Sequence, residues 1–389
     1  MKAVAIFFNS PYLGGAERSI IYQANYLQGK CNFTFFIPSL ESGDTQEIEA
    51  LLQTVFSTPH IKIIQFPMTL FSVSRSGNFP SLLNLLIACG ELYLELRRLD
   101  LHKFSTLWCN GNKIATVITF FAQLTHYSQQ ILWHFRDYPT RSKKFKLLWR
   151  LIGRKSDPQF STISNSYSVQ QVARQILPAK HINHFMVYNP QGENLVTRHI
   201  TTIKTVGIVS MLAPWKGLHQ IIIWASLFEK QLQQLGIKAI NIYGGDIYQT
   251  AGEHQHYAKQ LLQLLQTFPS SLINFKGRCS PVQIYQDIDL LIHPVIRPEP
   301  FGRILIEAFA ANIPVISTAL GGSGELAQDH ITSLNFIPND YASLQQAVTK
   351  LASDQQLRNT LISNGVEKAL SIEESIAANL QNALFQRDM

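Results

Sequence analysis

The chain has 389 residues, which exceeds one ordinary core and suits two domains. Hydrophobic residues make up 46% and charged residues 15%, a composition that favours a globular protein over a disordered one. The formal net charge of +7 favours an anionic partner, which could be a nucleotide, a nucleic acid or a membrane surface.

Local patterns exclude several classes of protein. No apolar run reaches the roughly 18 residues that a membrane-spanning helix needs. The start "MKAVAIFFNSPYLGG" lacks a small-residue cleavage site and is interpreted as a first strand rather than a signal peptide. The scattered cysteines form no CxxC pair, which argues against zinc and against a disulfide framework, and a reduced cytoplasm is the expected location.

The first half alternates β-rich segments with helical patterns. Strands are predicted at "KAVAIFF", "NFTFFIP", "IKIIQF", "STLWCN", "QILWHF" and "FSTISN". Helices are predicted at "GGAERSIIYQANYLQ" and "SLLNLLIACGELYLELRRL". This repeated order predicts a mostly parallel, doubly wound sheet.

The pattern stops at residues 187–204, which contain Pro190 and Gly192 and have no periodicity, and it then restarts. Strands are predicted at "TVGIVSML", "IKAINIYG", "LINFKG", "LLIHP" and "IPVIST", with one helix at "GLHQIIIWASLFEKQLQQL". The predicted domains are therefore 1–190 and 200–368, followed by a helix over 369–389 that packs back on the first domain.

Residues 141–155, "RSKKFKLLWRLIGRK", combine many basic residues with Phe145 and Trp149 and contain no acid. A basic amphipathic helix with aromatic residues can lie on anionic lipid, so this segment is predicted to contact a membrane surface. The alternative is a solvated helix that packs one face on its own domain.

The segment "RPEPFGRILIEAFA", residues 297–310, places Glu299 and Glu307 on either side of a predicted helix start. The helix should begin near Phe301 and Gly302, where free N–H groups attract phosphate. Glu307 lies among apolar neighbours, and a buried carboxylate needs donors. The hydroxyls of a ribose or a structural Arg or Lys could provide them.

Residues 299–326, "EPFGRILIEAFAANIPVISTALGGSGEL", closely resemble the nucleotide-sugar site of the GT-B glycosyltransferases, specifically glycosyltransferase family 4. Glu299 and Glu307 match the spacing of two glutamates that marks that family. "NSPYLGGAERSI" resembles its first glycine-rich loop and "APWKG" its donor-phosphate loop, while "YGGD", "FKGR" and "DLLIHP" match its strand ends. The resemblance covers nearly the whole chain and is most specific in the second domain.

The resemblance implies an α/β fold of two Rossmann-like doubly wound domains that face a central cleft. The first domain would bind the acceptor and the second the nucleotide sugar. The C-terminal helix would cross back to the first domain.

In the second domain the resemblance implies a role for each matching residue. Glu299 would hydrogen-bond the hydroxyls of the donor sugar, and Glu307 would hold the ribose. Phe301 and Gly302 would line the sugar with backbone. Lys216 would meet the diphosphate as a point charge.

In the first domain Gly14 and Gly15 would bring the backbone close to the donor phosphates, or they could form a plain strand-to-helix turn. His134 and Asp137 in "WHFRDYP" end a predicted strand, and together with Glu299 and Lys216 they are the candidate catalytic residues. The alternative for His134 is a structural histidine with its bonds satisfied.

Met211 lies five positions before Lys216, where the family usually has an arginine. Arg303, Arg297 and Arg278 are candidates to supply this charge. Arg303 is therefore included among the expected donor-binding residues.

The predicted function is that of a retaining hexosyltransferase in polysaccharide or cell-envelope biosynthesis. Its partners would be a nucleotide sugar and a glycan or lipid-linked acceptor, and it would be cytoplasmic with peripheral contact at the inner face of the membrane. No cofactor is expected. No Asp-x-Asp metal motif is apparent, and a helix dipole and Lys216 would take the place of a metal ion.

The main alternative is a degenerate transferase that binds a nucleotide sugar or a glycan without turnover, which Met211 supports. A nicotinamide dehydrogenase should have G-x-G-x-x-G after the first strand, and "NSPYLGGAER" does not provide it. No helix-turn-helix, RNP or zinc pattern supports nucleic-acid binding.

Overall fold

The computed structural model describes residues 1–39, 45–56, 61–67, 94, 96–139, 159–177, 182–245 and 253–385. The chain divides into two compact units. Unit 1 comprises Met1–Asn189 and Ser375–Met389, and unit 2 comprises Pro190–Glu374. The basic stretch 141–155 lies outside the described residues, as does most of the helix predicted at 81–99.

Unit 1 contains a parallel sheet with the strand order β3-β2-β1-β4-β5-β6-β7. Its strands are β1 Lys2–Phe7, β2 Cys31–Ser39, β3 Ile61–Pro67, β4 Thr106–Asn110, β5 Gln130–Phe135, β6 Gln159–Ser164 and β7 Asn183–Met186. Its helices are Gly15–Asn25, Gln46–Val55, Asn112–Leu124 and Tyr167–Ile176. The doubly wound architecture predicted for this half is confirmed.

Unit 2 contains a second parallel sheet, in the order β10-β9-β8-β11-β12-β13. Its strands are β8 Thr205–Val209, β9 Ala239–Tyr243, β10 Ile273–Gly277, β11 Leu290–His293, β12 Val315–Ser317 and β13 Leu334–Asn335. Its helices are Leu218–Leu227, Glu229–Gln234, Glu253–Thr267, Pro281–Asp287, Arg303–Ala310 and Tyr341–Ser353. The last helix, Gln355–Phe385, begins in unit 2 and ends in unit 1.

Central strands of both sheets are buried on both faces. Residues 4–7 of β1 and residues 290–292 of β11 are all 0% exposed. Continuous apolar runs of this kind are typical of parallel strands that helices cover on both sides. The hydrophobic core of each unit therefore lies between its sheet and its helices.

Two helices differ from their predicted extents. The segment predicted as one helix over 217–235 contains two, because Phe228 adopts φ −116° and separates Leu218–Leu227 from Glu229–Gln234. The helix predicted at 369–389 is the end of the 31-residue helix Gln355–Phe385. Apolar periodicity locates a helical region but not a local break or the full length.

The strand orders place particular loops at the edge where ligands bind in such sheets. In unit 1 the order reverses between β1 and β4, and in unit 2 it reverses between β8 and β11. Ligands of open α/β sheets bind outside the carboxyl ends of the strands at this reversal. In unit 2 the loops concerned are residues 210–217 and 294–302, which contain four of the six donor-binding residues predicted for this unit, namely Lys216, Glu299, Phe301 and Gly302.

Gly217 fixes the course of the first of these loops. It has φ +75°, and a Cβ at this position would overlap the carbonyl oxygen of Pro294. Gly236 has a similar φ of +87°, but a Cβ there would meet nothing within 4 Å, which makes it a matched control.

We expect Gly217→Ala to destabilise the protein more than Gly236→Ala does. Both changes force alanine into the left-handed region, at a cost of about 1–2 kcal/mol. Only the first adds an overlap with backbone, which costs about another 1–3 kcal/mol. Urea unfolding of both variants measures the difference, and equal losses would contradict the close approach at Pro294.

Candidate functional site

The backbone of Glu299 is held by the glycine-rich segment 320–322. Its N–H donates to the carbonyl oxygen of Leu320 at 2.9 Å, and its carbonyl oxygen accepts from the N–H of Gly322 at 2.8 Å. The segment "GGSGEL", residues 321–326, and the preceding Leu320 thus support the first of the two predicted glutamates. Glu299 itself is 9% exposed.

The carboxylate of Glu299 forms an ion pair with Lys216. The distance from Lys216 Nζ to Glu299 Oε2 is 2.6 Å, and both side chains are largely buried. Burial opposes ionisation of Glu299, but the charge of Lys216 and the neighbouring His293 ring outweigh it and lower the pKa of Glu299 to about 2. The structure therefore brings together two residues that the sequence places 83 positions apart.

His293, at the end of β11, lies next to the carboxylate of Glu299 and is 2% exposed. Its Nδ1 is 3.1 Å from Ser317 Oγ, whereas its Nε2 is 3.8 Å from Glu299 Oε2, which is too long for a hydrogen bond. Nε2 is buried and has no hydrogen-bond partner. Of the two ring nitrogens, only Nδ1 therefore has a structural partner, which is Ser317.

The predicted helix start is observed beside Glu299. The helix begins at Arg303, and Gly302 precedes it with φ +85°. A Cβ on Gly302 would come within 3.2 Å of Ser323 Cβ, so this turn also packs closely against the glycine-rich segment. Phe301 is 2% exposed and its side chain belongs to the core.

Glu307 is buried in the same helix, as predicted, and has protein partners. Arg303 Nη2 lies 3.0 Å from Glu307 Oε1, and the hydroxyl of Tyr285 donates to Oε2 at 2.9 Å. Burial and the adjacent Glu307 carboxylate raise the pKa of Tyr285 well above its ordinary value, so the hydroxyl remains a donor. The structural ion pair that the sequence left as an alternative is thus present.

Lys216 ends a short 3₁₀ turn, Pro214–Lys216, and its Nζ also lies 4.1 Å from the centre of the Trp215 ring. Met211, in the same loop, is half-buried and accepts the N–H of Ala213 through its carbonyl oxygen. Of the arginines proposed to replace the missing cation, Arg303 is paired with Glu307, whereas Arg278 and Arg297 are exposed.

The sequence does contain an Asp-x-Asp spacing, contrary to the expectation stated above. Asp287 accepts from the side chains of Tyr243 and Asn241, and Asp289 pairs with Arg198 at 2.8 Å. The two carboxylates therefore take part in structural contacts. Among the described residues, no three His, Cys, Asp or Glu side chains are grouped so that they could hold a metal ion.

In unit 1, Gly14 and Gly15 precede and open the helix Gly15–Asn25, where Gly14 is buried and Gly15 exposed. Glu17 in the first turn is 2% exposed, and its buried Oε2 has no hydrogen-bond partner. Burial raises the pKa of Glu17 to about 7, although the backbone N–H groups of Glu17 and Gly14 and the charge of Arg136 oppose the shift.

Arg136, directly after β5, is the centre of a buried polar network. It donates from Nε to Asn110 at 2.7 Å, from Nη1 to Asn189 at 2.6 Å and from Nη2 to Gln23 at 2.8 Å. Its carbonyl oxygen accepts from Asn165 at 3.0 Å. Burial lowers the pKa of Arg136 to about 9, against the charges of nearby carboxylates.

The two predicted catalytic residues beside Arg136 have different surroundings. His134 is 1% exposed, its Nδ1 accepts from the indole of Trp108 at 3.3 Å, and its Nε2 is buried without a partner. Burial and then the charge of Arg136 lower the pKa of His134 well below its ordinary value, so the ring is neutral. Asp137 is exposed. The catalytic role of both residues stays a prediction.

Several residues of these sites were not singled out from the sequence. The network partners Gln23 and Asn110 carry no recognisable signal, because their spacing to Arg136 is long. Glu17 could have been found by the argument used for Glu307, since it is an acid in a helix turn that is otherwise suited to burial.

The family model described as "Glycosyl transferases group 1" matches residues 196–368. The capsular polysaccharide biosynthesis glycosyltransferase CapM of Staphylococcus aureus is 25% identical over 160 residues, which cover 41% of this chain and 40% of CapM. The putative glycosyltransferase YtcC of Bacillus subtilis is 27% identical over 164 residues, or 41% of this chain and 39% of YtcC. The chain thus matches less than half the length of these curated relatives.

Solved structures match almost the whole chain. HepE of Anabaena in complex with UDP-glucose has a TM-score of 0.75 at 20% identity, with coverage of 98% of this chain and 100% of HepE. Sucrose-phosphate synthase of Thermosynechococcus elongatus has a TM-score of 0.74 at 16% identity, with 99% of each chain covered.

The chain has the GT-B fold. The resemblance seen in the sequence is confirmed for the fold and for the glycosyltransferase match over residues 196–368, which contains Lys216, His293, Glu299 and Glu307. None of the described helices is long and apolar enough to cross a membrane.

We expect Arg136→Met to lower the free energy of unfolding by at least about 2 kcal/mol, because buried amide oxygens that lose a donor cost about 1–3 kcal/mol each. Arg136→Lys should restore little, since a single ammonium group cannot reproduce the guanidinium fork. Chemical unfolding measures both, with Arg174→Met on an exposed helix position as the control. An equally stable Arg136→Met variant would show that the cost of burying the charge offsets all that its hydrogen bonds contribute.

The lowered pKa of Glu299 predicts a pH-dependent contribution to stability. The carboxylate stabilises the folded state above its ordinary pKa of 4.5, and this contribution is lost as the pH falls towards about 2. The free-energy difference between wild type and Glu299→Gln should therefore be constant above about pH 5 and narrow by about pH 3. Urea titrations at several pH values test this, and a difference that does not change with pH would contradict it.

Proposed function

We propose that the protein is a retaining glycosyltransferase that moves a hexose from a nucleotide sugar to a glycan or lipid-linked acceptor in polysaccharide or cell-envelope biosynthesis. The observation that carries the proposal is the pairing of Glu299 with Lys216 at the carboxyl edge of the unit 2 sheet. It lies beside a helix start and within the segment that matches the glycosyltransferase model.

The donor would occupy this edge of unit 2. The N–H groups at the start of the helix Arg303–Ala310 and the ammonium of Lys216 would meet the diphosphate. Glu299 would accept hydrogen bonds from the sugar hydroxyls, with the backbone of Phe301 and Gly302 alongside. The complex of the similarly folded HepE with UDP-glucose supports a nucleotide sugar as the ligand class.

The charge that develops on the leaving diphosphate would be stabilised by Lys216 and the helix dipole, without a metal ion. Transfer would retain the anomeric configuration, and the donor phosphate would help to deprotonate the acceptor hydroxyl on the same face of the sugar. Arg303 could add positive charge only by sharing its pairing with Glu307.

Unit 1 would bind the acceptor. Asp137 is exposed and could contact the acceptor directly. His134 is buried, so it would act without direct contact with the acceptor. CapM, which is named for capsular polysaccharide biosynthesis, supports a growing glycan as the acceptor class. Contact with an anionic membrane through residues 141–155 remains a prediction that rests on the sequence.

The proposal is tested by a screen followed by an assay of turnover. A ligand that binds the folded state raises its apparent stability, so thermal unfolding with UDP-, GDP- and ADP-sugars identifies the donor. NMR of the product formed with oligosaccharide acceptors then reports the anomeric configuration. A protein that no nucleotide sugar stabilises would refute the proposal.

The second candidate is a binding protein that has lost turnover, and Met211 in place of a cation is the observation that favours it. In that case a nucleotide sugar would stabilise the protein, but neither transfer nor donor hydrolysis would occur. If the protein has lost turnover through Met211, Met211→Arg should raise its activity. If the protein is an active enzyme, the same change should leave the activity unharmed. Lys216→Ala should depress turnover sharply if Lys216 is the remaining cation of the loop.

Glu307 would accept a hydrogen bond from the ribose of the donor. We expect Glu307→Gln to weaken donor binding about 10- to 150-fold, because a charge-assisted hydrogen bond of this kind contributes about 1.5–3 kcal/mol. Glutamine keeps an acceptor for Tyr285, so most of the fold should be preserved. Calorimetric titration with the donor measures the affinity, with Glu229→Gln, a glutamate that binds Ser271 elsewhere in unit 2, as the control. Unchanged affinity together with lost stability would assign Glu307 to its ion pair with Arg303 alone.

A further inference from the structure

If the proposed function holds, two anionic groups compete for the ammonium group of Lys216: the carboxylate of Glu299 and the diphosphate of the donor. It already neutralises Glu299 across 2.6 Å, and a donor diphosphate needs the same ammonium group. A diphosphate that draws Lys216 away leaves Glu299, which is 9% exposed, without the positive charge that stabilises it most. Loss of the charge that contributes most to keeping this largely buried carboxylate ionised favours a new positive charge close by.

His293 is the group placed to provide that charge. Its Nε2 lies 3.8 Å from Glu299 Oε2, on the same oxygen that Lys216 contacts, and it is buried without any hydrogen-bond partner. Ser317 Oγ accepts the N–H of Ala319 and has a second lone pair for the Nδ1–H of His293. With the proton on Nδ1, the neutral ring presents the lone pair of Nε2 to the carboxylate, which agrees with their separation.

We propose that His293 replaces Lys216 as the counter-ion of Glu299 when a nucleotide sugar binds, and that the donor therefore binds together with one proton. The proton comes from solvent and forms an N–H bond at Nε2, which then donates to Glu299 Oε2. No other bond is made or broken. This inference rests on the proposed function, because it needs the diphosphate to engage Lys216.

The electrostatic surroundings of His293 favour this exchange. Burial lowers the pKa of His293, the nearby Glu299 raises it, and the charge of Lys216 lowers it, so the ring is neutral near pH 7. When Lys216 turns to a diphosphate, its repulsion is offset and the added negative charge also favours the imidazolium. Histidine accepts the proton in preference to Glu299, because its ordinary pKa is about two units higher.

Few other groups could take or oppose this proton. Glu299 and Lys216 are the charged groups that act on His293 among the residues that the structure describes. Its own strand contributes only Leu290–Ile292, and the neighbouring β12 contributes Ser317, which does not titrate near neutral pH. The proton balance of donor binding should therefore report on His293.

Isothermal titration calorimetry with UDP-, GDP- and ADP-glucose, at one pH in phosphate and in Tris, measures this proton. Phosphate and Tris release protons with different enthalpies, so the difference between the two observed enthalpies gives the protons taken up. The diphosphate of a nucleotide sugar stays ionised near neutral pH and contributes none. We expect an uptake that approaches one proton, and a dissociation constant that rises about tenfold per pH unit between the pKa of His293 without donor and with donor.

His293→Gln should abolish the uptake, because glutamine can reach Glu299 with an N–H but does not titrate. The matched control is His219→Gln, which removes a half-buried histidine of the same unit that bonds Tyr257 and should leave the uptake unchanged. If His293→Gln does not fold, the imidazole resonances of His293 in the wild type, with and without donor, provide the same information.

The outcomes separate this inference from the proposed function. Uptake in the wild type and in His219→Gln, with none in His293→Gln, supports it. Donor binding without uptake, or uptake that persists in His293→Gln, overturns it while the proposed function stands. If none of the three nucleotide sugars binds, the proposed function fails and the inference fails with it.

Discussion

A charged group that leaves water must find an opposite charge or hydrogen-bonding partners close by, and the sites of both units are organised by this requirement. The site in unit 2 contains two ion pairs that provide this compensation, and they differ in how far apart their partners lie along the chain. Arg303 and Glu307 lie one helical turn apart, whereas Lys216 and Glu299 join the loops that follow β8 and β11. The first pair stabilises one helix, and the second couples two loops at the edge where a donor would bind.

Unit 1 meets the same requirement with a buried cation. Arg136 bonds to three neutral amide oxygens, and Glu17 influences its pKa from further away. Compensation is incomplete on both sides, since the pKa of Arg136 is lowered to about 9 and that of Glu17 is raised to about 7. Such departures from local satisfaction are concentrated at functional positions in many proteins.

The architecture could be predicted from the sequence, because apolar strands that alternate with helices bury their apolar surfaces in a parallel sheet covered by helices. The sequence was also sufficient for the helix start at Gly302 and for the burial of Glu307. It could not separate a ribose from Arg303 as the partner of Glu307, because both satisfy a carboxylate. The network around Arg136 was out of reach, since it joins residues 26, 53 and 113 positions apart.

The discontinuity of unit 1 has a consequence for how the protein is made. Unit 1 needs the segment from Ser375 onward, where the carbonyl oxygen of Ala383 accepts from Gln130 at 2.8 Å and that of Leu384 accepts from Lys2. On the ribosome this segment is synthesised after unit 2, which is one continuous stretch. Unit 2 therefore has all its residues available before unit 1 does, and β1 and β5 gain their contacts with the helix Gln355–Phe385 only after unit 2 has been synthesised.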